Sequence, residues 1–305
     1  MTTYKGKNMR RERGIYSCTR VLRDFLGELV KSKIAVIGGI IIILVILISI
    51  SFTSFWHVNP NIINLKKCFI PPVWVNGGSW QYPLGTDNLG RCVLTRLLYG
   101  ARVSLTVSFS AMLLGSVLGI FLGLVSGYYG GKLDNVIMRI ADIFLAYPFT
   151  LLTISLIAVL GPSIRNVIII LAISDWVIYA RTVRGMVLSI KEKSFIEVIK
   201  SMGATKLRII MCHILPNVIP SLIVLATVRV AAYIIWESGL SFLGIGVPPP
   251  APTWGRMLSE GRQYITTAWW LVTFPGVAIM VVVLGWNMLG DGLRDILDPS
   301  LRHLR

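Results

Sequence analysis

Acidic residues are scarce in this chain: 14 Asp and Glu in 305 residues, against 30 Lys and Arg, with only 14% of residues charged. A soluble domain carries about a quarter charged residues, so composition excludes an ordinary water-soluble fold, and a mean hydropathy of +0.72 agrees. There are three histidines, and neither His213 nor His303, the two beyond the predicted outer loop, has a partner at metal-ligand spacing. The phosphate-binding GxxxxGK(S/T) pattern, HExxH and paired CxxC are absent, and no Ser/His/Asp arrangement can be defended. Catalytic and metal-ligating residues are therefore not assigned. Four cysteines make no framework. Cys18 and Cys212 fall in segments assigned to the cytoplasm, whereas Cys68 and Cys92 share the long outer loop, where a disulfide is permitted but not required. Asp175 is the single acidic residue in a predicted span. A proton- or sodium-coupled carrier usually needs intramembrane carboxylates or broken helices. If this chain moves a solute uphill, another subunit supplies the work.

What is abundant is long apolar sequence. Ile34–Trp56 runs 23 residues and Val103–Tyr129 runs 27 without a charge, enough to cross a hydrocarbon core of about 30 Å. Ile143–Leu160, Asn166–Ala180 with Asp175 inside it, Asn217–Trp236 with Arg229 inside it, and Trp269–Gly290 complete six candidate spans. An all-α integral membrane protein is expected. Counting Lys and Arg puts 21 of the 30 on one side if both termini are cytoplasmic, and eight on the other. The excess of basic residues therefore reads as membrane orientation, with a lipid bilayer and no nucleic acid as the partner. Ahead of the first span, Val21, Leu22, Phe25, Leu26, Leu29 and Val30 suggest an amphipathic helix on the inner leaflet. The polar lead of the N-terminal segment is too long, and the apolar run after it longer than a typical h-region, for a cleaved signal peptide to be expected.

Within the second span Gly115, Gly119, Gly123 and Gly127 recur every fourth residue. One helix face then carries all four, a pattern for close helix packing. Arg229 lies near the middle of the fifth span, where an arginine costs about 2.5–3.5 kcal/mol to insert. Either it lines a translocation path, with Asp175 as a second candidate there, and attracts a substrate carboxylate, or it makes a structural ion pair with Asp175 or a subunit-interface contact. Glu237 is expected to open an outer turn, and Trp254, Trp269 and Trp270 suit a membrane–water boundary.

The largest predicted cytoplasmic loop contains KSFIEVIKSMG, Lys193 to Gly203. Ser194 and Glu197 are spaced as a capping box, and Gly203 supplies a left-handed terminator. Phe195, Val198, Ile199 and Met202 form one apolar stripe on a helix too short to be stable alone in water. Something must cover that stripe, either lipid or a groove on a cytoplasmic partner.

The stretch EVIKSMGATKLRIIMCHILPN resembles the signature loop of ABC importer permeases. Glu197, Gly203, Leu215 and Pro216 match it; Val198 and Ile199 replace two alanines, and His213 replaces an isoleucine. PLGTDNLGRCVLTRLLYGARVSL, GYYGGKLDNVIMRIADIFLAYP, YARTVRG, ESGLSFLGIGVPPPAPTWGRML and NMLGDGLRDILDPSLR follow the order found in the C-type permease subunits of dipeptide/oligopeptide/nickel importers. Cys92 stands where that family usually has Asp.

The resemblance implies a type I (binding-protein-dependent) ABC importer permease fold with six transmembrane helices, in the cytoplasmic (inner) membrane of a bacterium or archaeon. It divides the chain into a cytoplasmic segment 1–33, a first transmembrane helix 34–56, an extracytoplasmic loop 57–102, a permease core 103–291 with a coupling helix near 195–203, and a cytoplasmic tail 292–305. Ser194, Phe195, Glu197, Val198, Ile199, Met202, Gly203, Leu215 and Pro216 would then couple the chain to an ATPase. The implied partners are a homologous B-type permease, two ABC ATPases that hold ATP and Mg, and an extracytoplasmic solute-binding protein. This chain itself holds no cofactor. Peptide is the implied cargo; nickel or a metal chelate is the alternative within the family, and a self-sufficient secondary transporter the alternative outside it.

Overall fold

The computed structural model describes residues 32–55 and 59–297. The predicted amphipathic helix before Lys31 and the last residues of the tail lie outside them, as do Cys18 and His303. Among the described residues the chain is all helix and loop, with one isolated antiparallel bridge between Thr86 and Cys92.

Helix α1 is Lys33–Phe55, α2 is Val93–Tyr129, α3 is Gly131–Ala146, α4 is Phe149–Leu160 and α5 is Ile164–Lys191. Then come the short α6, Ser194–Ser201, and α7, Lys206–Ile209, which passes through a π-turn at Ile210–Ile214 into α8, Leu215–Phe242. Helices α9, Trp254–Gly261, and α10, Trp270–Leu297, complete the chain. Five of these segments are long and apolar enough to cross a membrane, and α3 with α4 makes a sixth crossing only if the bent pair counts as one.

The expected straight span Ile143–Leu160 is broken. Pro148 disfavours helical backbone at Tyr147, which is extended at φ −94° and ψ 135°, and the chain bends by 95° there. The 12 residues of α4 reach only about 18 Å. Two other helices outrun their apolar cores for a common reason. Helix α5 continues past Ala180 because Arg181 and Arg184 find Asp142 and Asp134 on α3, at 2.5 Å and 2.6 Å. Helix α2 starts before Val103 because Arg96, almost fully buried, is held by Asp87 at 2.7 Å and Glu260 at 2.9 Å.

The interior forms where α2, α5 and α8 meet. A methyl group on Gly119 would stand 2.4 Å from the Trp176 carbonyl oxygen, and one on Gly123 2.6 Å from that of Ala180. Gly115 faces Ala172 and the Tyr233 hydroxyl, and Gly127 faces Val187 and Arg184. All four glycines thus lie where two backbones approach too closely for a side chain. Helix α1 packs on α10 in the same manner, through Gly38, Gly285 and Gly292.

At the end of the bundle opposite α6, the loop after α1 is tied down by Thr86. Its hydroxyl donates to the Lys67 carbonyl at 2.6 Å and accepts from the Ile70 N–H at 2.8 Å, while its carbonyl accepts from the Trp270 indole at 3.1 Å. Trp270 and Trp254 are therefore buried, not boundary anchors; the Trp254 indole donates to the Leu97 carbonyl at 3.0 Å, and of the three named tryptophans Trp269 is the exposed one. Glu237 does not open a turn. It is fully buried within α8, accepting from the Ser241 hydroxyl at 2.8 Å, and that hydroxyl in turn accepts from the Val247 N–H at 3.3 Å. Burial would raise the Glu260 carboxyl, but Arg96, Arg256 and Arg91 together hold it down to about 2. Cys68 and Cys92 are free thiols, and Cys92 caps α2 without a side-chain hydrogen bond.

Candidate functional site

Helix α6 follows α5 after a two-residue turn, Glu192 and Lys193. Lys193 takes the N-cap position and Ser194 is the first helical residue, so no side chain caps the helix and the expected capping box does not form. The turn is closed by backbone instead, with the Lys193 N–H donating to the Ile190 carbonyl at 3.1 Å. Glu197 still sits in the first turn, where a carboxylate complements the helix dipole.

The other end is closed by a full Schellman motif. Gly203 has φ +81°. Its N–H donates to the Lys200 carbonyl at 2.9 Å, and the Ala204 N–H donates to that of Ile199 at 3.3 Å. Thr205 then caps α7, accepting from the Arg208 N–H at 3.4 Å.

The predicted apolar stripe divides. Ile199 turns inward, with Ala204 and the fully buried Ile196, onto a cluster that includes Leu124 and Tyr128 of α2, Val187 and Ile190 of α5, and Ile209 and Ile214. Phe195, Val198 and Met202 turn outward, at 40%, 58% and 80% exposure. Ile196 is not part of the predicted stripe, because it lies beside the strongest apolar row; its spacing of three from Ile199 is the signal in the sequence that marks it. Leu207 and Met211 are exposed as well, and Lys193, Lys200, Lys206 and Arg208, also exposed, flank these apolar residues in the sequence.

Leu215 packs partly into the same cluster, while Pro216 is exposed at the start of α8. The π-turn before them carries a five-residue step, the Leu215 N–H donating to the Ile210 carbonyl. It brings Ile210 and Ile214 to one buried face, and such turns recur at functional sites. The unit is braced against α2 by Lys191, whose ammonium donates to the Tyr128 carbonyl at 2.8 Å, and by Lys206 over the Tyr129 ring at 5.6 Å.

Arg229 and Asp175 meet inside the bundle. The guanidinium of Arg229 donates through Nε to Asp175 Oδ2 at 2.9 Å, and a terminal nitrogen donates to Oδ1. Arg229 also lies over the Trp236 ring at 4.6 Å, and that ring packs on Phe149 at 4.1 Å, where α4 begins. The pair is remote in sequence from α6. It joins α5, whose continuation leads to α6, and α8, which grows out of the π-turn. No group of His, Cys, Asp and Glu able to hold a metal ion occurs among the described residues.

Comparison with known proteins places these features in one family. Residues 115–303 match the model for the binding-protein-dependent transport system inner membrane component. The dipeptide transport system permease protein DppC of Alkalihalophilus pseudofirmus is 44% identical over 290 residues, covering 94% of this chain and 92% of that protein. The glutathione transport system permease protein GsiD of Escherichia coli O6:K15:H31 is 46% identical over 227 residues, covering 74% of this chain and 75% of that protein. A chain from the inward-facing conformations of the MetNI methionine ABC transporter shares the fold, with a TM-score of 0.54 and 22% identity over 67% of this chain and 97% of that one. The chain therefore belongs to the family of binding-protein-dependent transport system inner membrane components and is a transmembrane permease subunit of an ATP-driven importer, whose ATP hydrolysis resides on separate subunits.

Proposed function

We propose that this chain is the C-type half of the translocation path of a peptide importer, and that α6 is the coupling helix docked in a groove of one ATPase. The observation that carries the reading is the divided face of α6: Ile196 and Ile199 fasten it to the bundle while Phe195, Val198 and Met202 stand outward as an apolar ridge with exposed basic residues beside it in the sequence. ATP binding would close the ATPase pair and draw α6 with it, moving α5 and α8 and the Asp175–Arg229 pair between them, with hydrolysis as the reset. Peptide as cargo follows from the dipeptide and glutathione permeases that this chain resembles. The partners in this reading are a B-type permease, two ABC ATPases and an extracytoplasmic solute-binding protein. Six crossings, with α3 and α4 counted as one, and both termini in the cytoplasm of a bacterial or archaeal cell accord with the 21 basic residues assigned to that side.

The test is a mild-detergent purification of the complex, with wild type and a Glu197→Lys/Gly203→Trp variant compared for subunit content, ATP turnover and peptide uptake. Two ATPases and a second permease should co-purify with the wild type. The variant should keep ATP turnover in the membrane and lose uptake. Unaltered uptake by the variant would remove the coupling assignment, and recovery of the chain alone in detergents that preserve such assemblies would remove the importer assembly.

A further inference from the structure

Between α9 and the loop that follows α8, at the end of the bundle opposite α6, lies a half-open cavity of about 240 Å³. Its loop side is apolar, with Pro162, Val247, Pro248 and Pro249; its helix side is polar, with Arg256, Ser259 and Glu260. The loop side is held from behind. Ser241 lines the cavity too, and its hydroxyl joins the buried Glu237 to the Val247 N–H. A methyl group on Gly246 would stand 2.2 Å from that hydroxyl oxygen, so the loop closes there because Gly246 has no side chain.

The helix side carries surplus positive charge. Three guanidiniums, those of Arg91, Arg96 and Arg256, share the two carboxylates of Asp87 and Glu260. Glu260 Oε2 accepts from Arg91 at 2.8 Å and from Arg96 at 2.9 Å, and its Oε1 accepts from Arg256 Nε at 2.8 Å. Asp87 Oδ2 accepts from Arg91 at 2.6 Å and from Arg96 at 2.7 Å, while Oδ1 takes the backbone N–H groups of Leu89 and Arg91. One formal charge is left over, and it falls at the cavity. Of the three arginines Arg256 is the one that lines it, and its two terminal nitrogens have no partner among the described residues. The Ser259 hydroxyl, one turn further on, has none there either. The segments at this end share the imbalance: 57–102, 161–165 and 237–268 hold eight Lys and Arg against Asp87, Glu237 and Glu260. Such a field gathers anions and repels cations.

The free end of a guanidinium matches the two oxygens of a carboxylate. The cavity is smaller than the roughly 300 Å³ at which pockets for whole small ligands begin, so it suits the end of a molecule. We infer that it is a subsite for the carboxylate end of the cargo: Arg256 and Ser259 bind the C-terminal carboxylate of a short peptide, whose last residue lies against the proline side. The inference rests on reading the chain as part of a peptide importer. It gives the permease a contact that every peptide offers, whatever its sequence.

The purified permease–ATPase complex tests this, with Cys18, Cys68, Cys92 and Cys212 replaced by Ser and Ser259→Cys introduced. Dialanine should slow labelling of that thiol by an anionic methanethiosulfonate several-fold, and dialaninamide, which lacks the carboxylate, should not. Arg256→Gln should abolish the protection. Arg256→Lys, which keeps a charge for Glu260 but has no fork, should weaken it, and it serves where the Gln variant does not assemble. In vesicles supplied with the binding protein, Arg256→Gln should lower uptake of dialanine relative to dialaninamide by about tenfold. Any preference of the binding protein cancels in that comparison. Equal protection by the two peptides, protection by neither, or protection that survives Arg256→Gln would overturn the subsite. Protection by dialanine in a complex that does not take it up would keep the subsite and reject only peptide as cargo. Peptide uptake with an unchanged ratio would do the reverse.

Discussion

The seam between α2 and α5 and the helix α6 are both apolar, and they use that property in opposite ways. Along the seam, four glycines let backbones meet, and every large neighbour, such as Trp176, Tyr179 and Val183, is buried within the chain. On α6, the fully buried Ile196 and the partly buried Ile199 hold the helix while Phe195, Val198 and Met202 face outward. Composition does not separate the two. The difference lies in whether the chain supplies its own second surface: the seam is complete without a partner, and α6 is not.

The comparison can be broken first at the ion pair beside the seam. Asp175→Asn leaves the Arg229 charge inside the bundle without its carboxylate, at a cost of about 3–5 kcal/mol. The expected outcome is loss of folded chain from the membrane in a detergent-stability assay, with much of it recovered when Arg229→Met removes the charge as well. A double variant no better than Asp175→Asn alone would show that the pair is not the unit of stability. Next in size is Gly119→Val, which puts its Cβ against the Trp176 carbonyl and needs α2 and α5 to separate. We expect a loss of about 1–3 kcal/mol, read as a lower unfolding temperature of the purified permease. The smallest effect belongs to α6. Met202→Ser removes an 80% exposed side chain, so the chain's own stability should move by no more than about 0.5 kcal/mol, while retention of ATPase during detergent washing should fall. A large loss of chain stability from Met202→Ser would mean that α6 is finished internally after all.

What the sequence made legible follows the same division. The cores of the long helices were readable because an uninterrupted apolar run needs no knowledge of its neighbours. Gly203 was readable as a helix terminator because its left-handed backbone is a local matter. The ends of α2 and α5 were not, because charged residues continue a helix only if counter-charges arrive from elsewhere: Asp87 and Glu260 for Arg96, Asp134 for Arg184, Asp142 for Arg181. Except for Asp87, which stands in the loop just before α2, those partners are distant in sequence or on another helix. The break at Tyr147 had its signal in Pro148, yet the apolar run across it concealed the bend. Ser194 and Glu197 have the spacing of a capping box, but the turn after α5 sets the register one residue earlier and makes Lys193 the cap. As for the candidate site, the outward ridge was visible as residue types, while its division from Ile196 and Ile199 depended on where α2, α5 and the π-turn stand.

That division has a consequence for how such a subunit changes hands. The residues that hold α6 in place and the residues it displays are different members of the same two turns. On the docking reading proposed above, a lineage can rewrite Phe195, Val198 and Met202 to suit a different motor while Ile196, Ile199 and Gly203 go on keeping the helix where it is. Allegiance and architecture are written in separate letters of one short word.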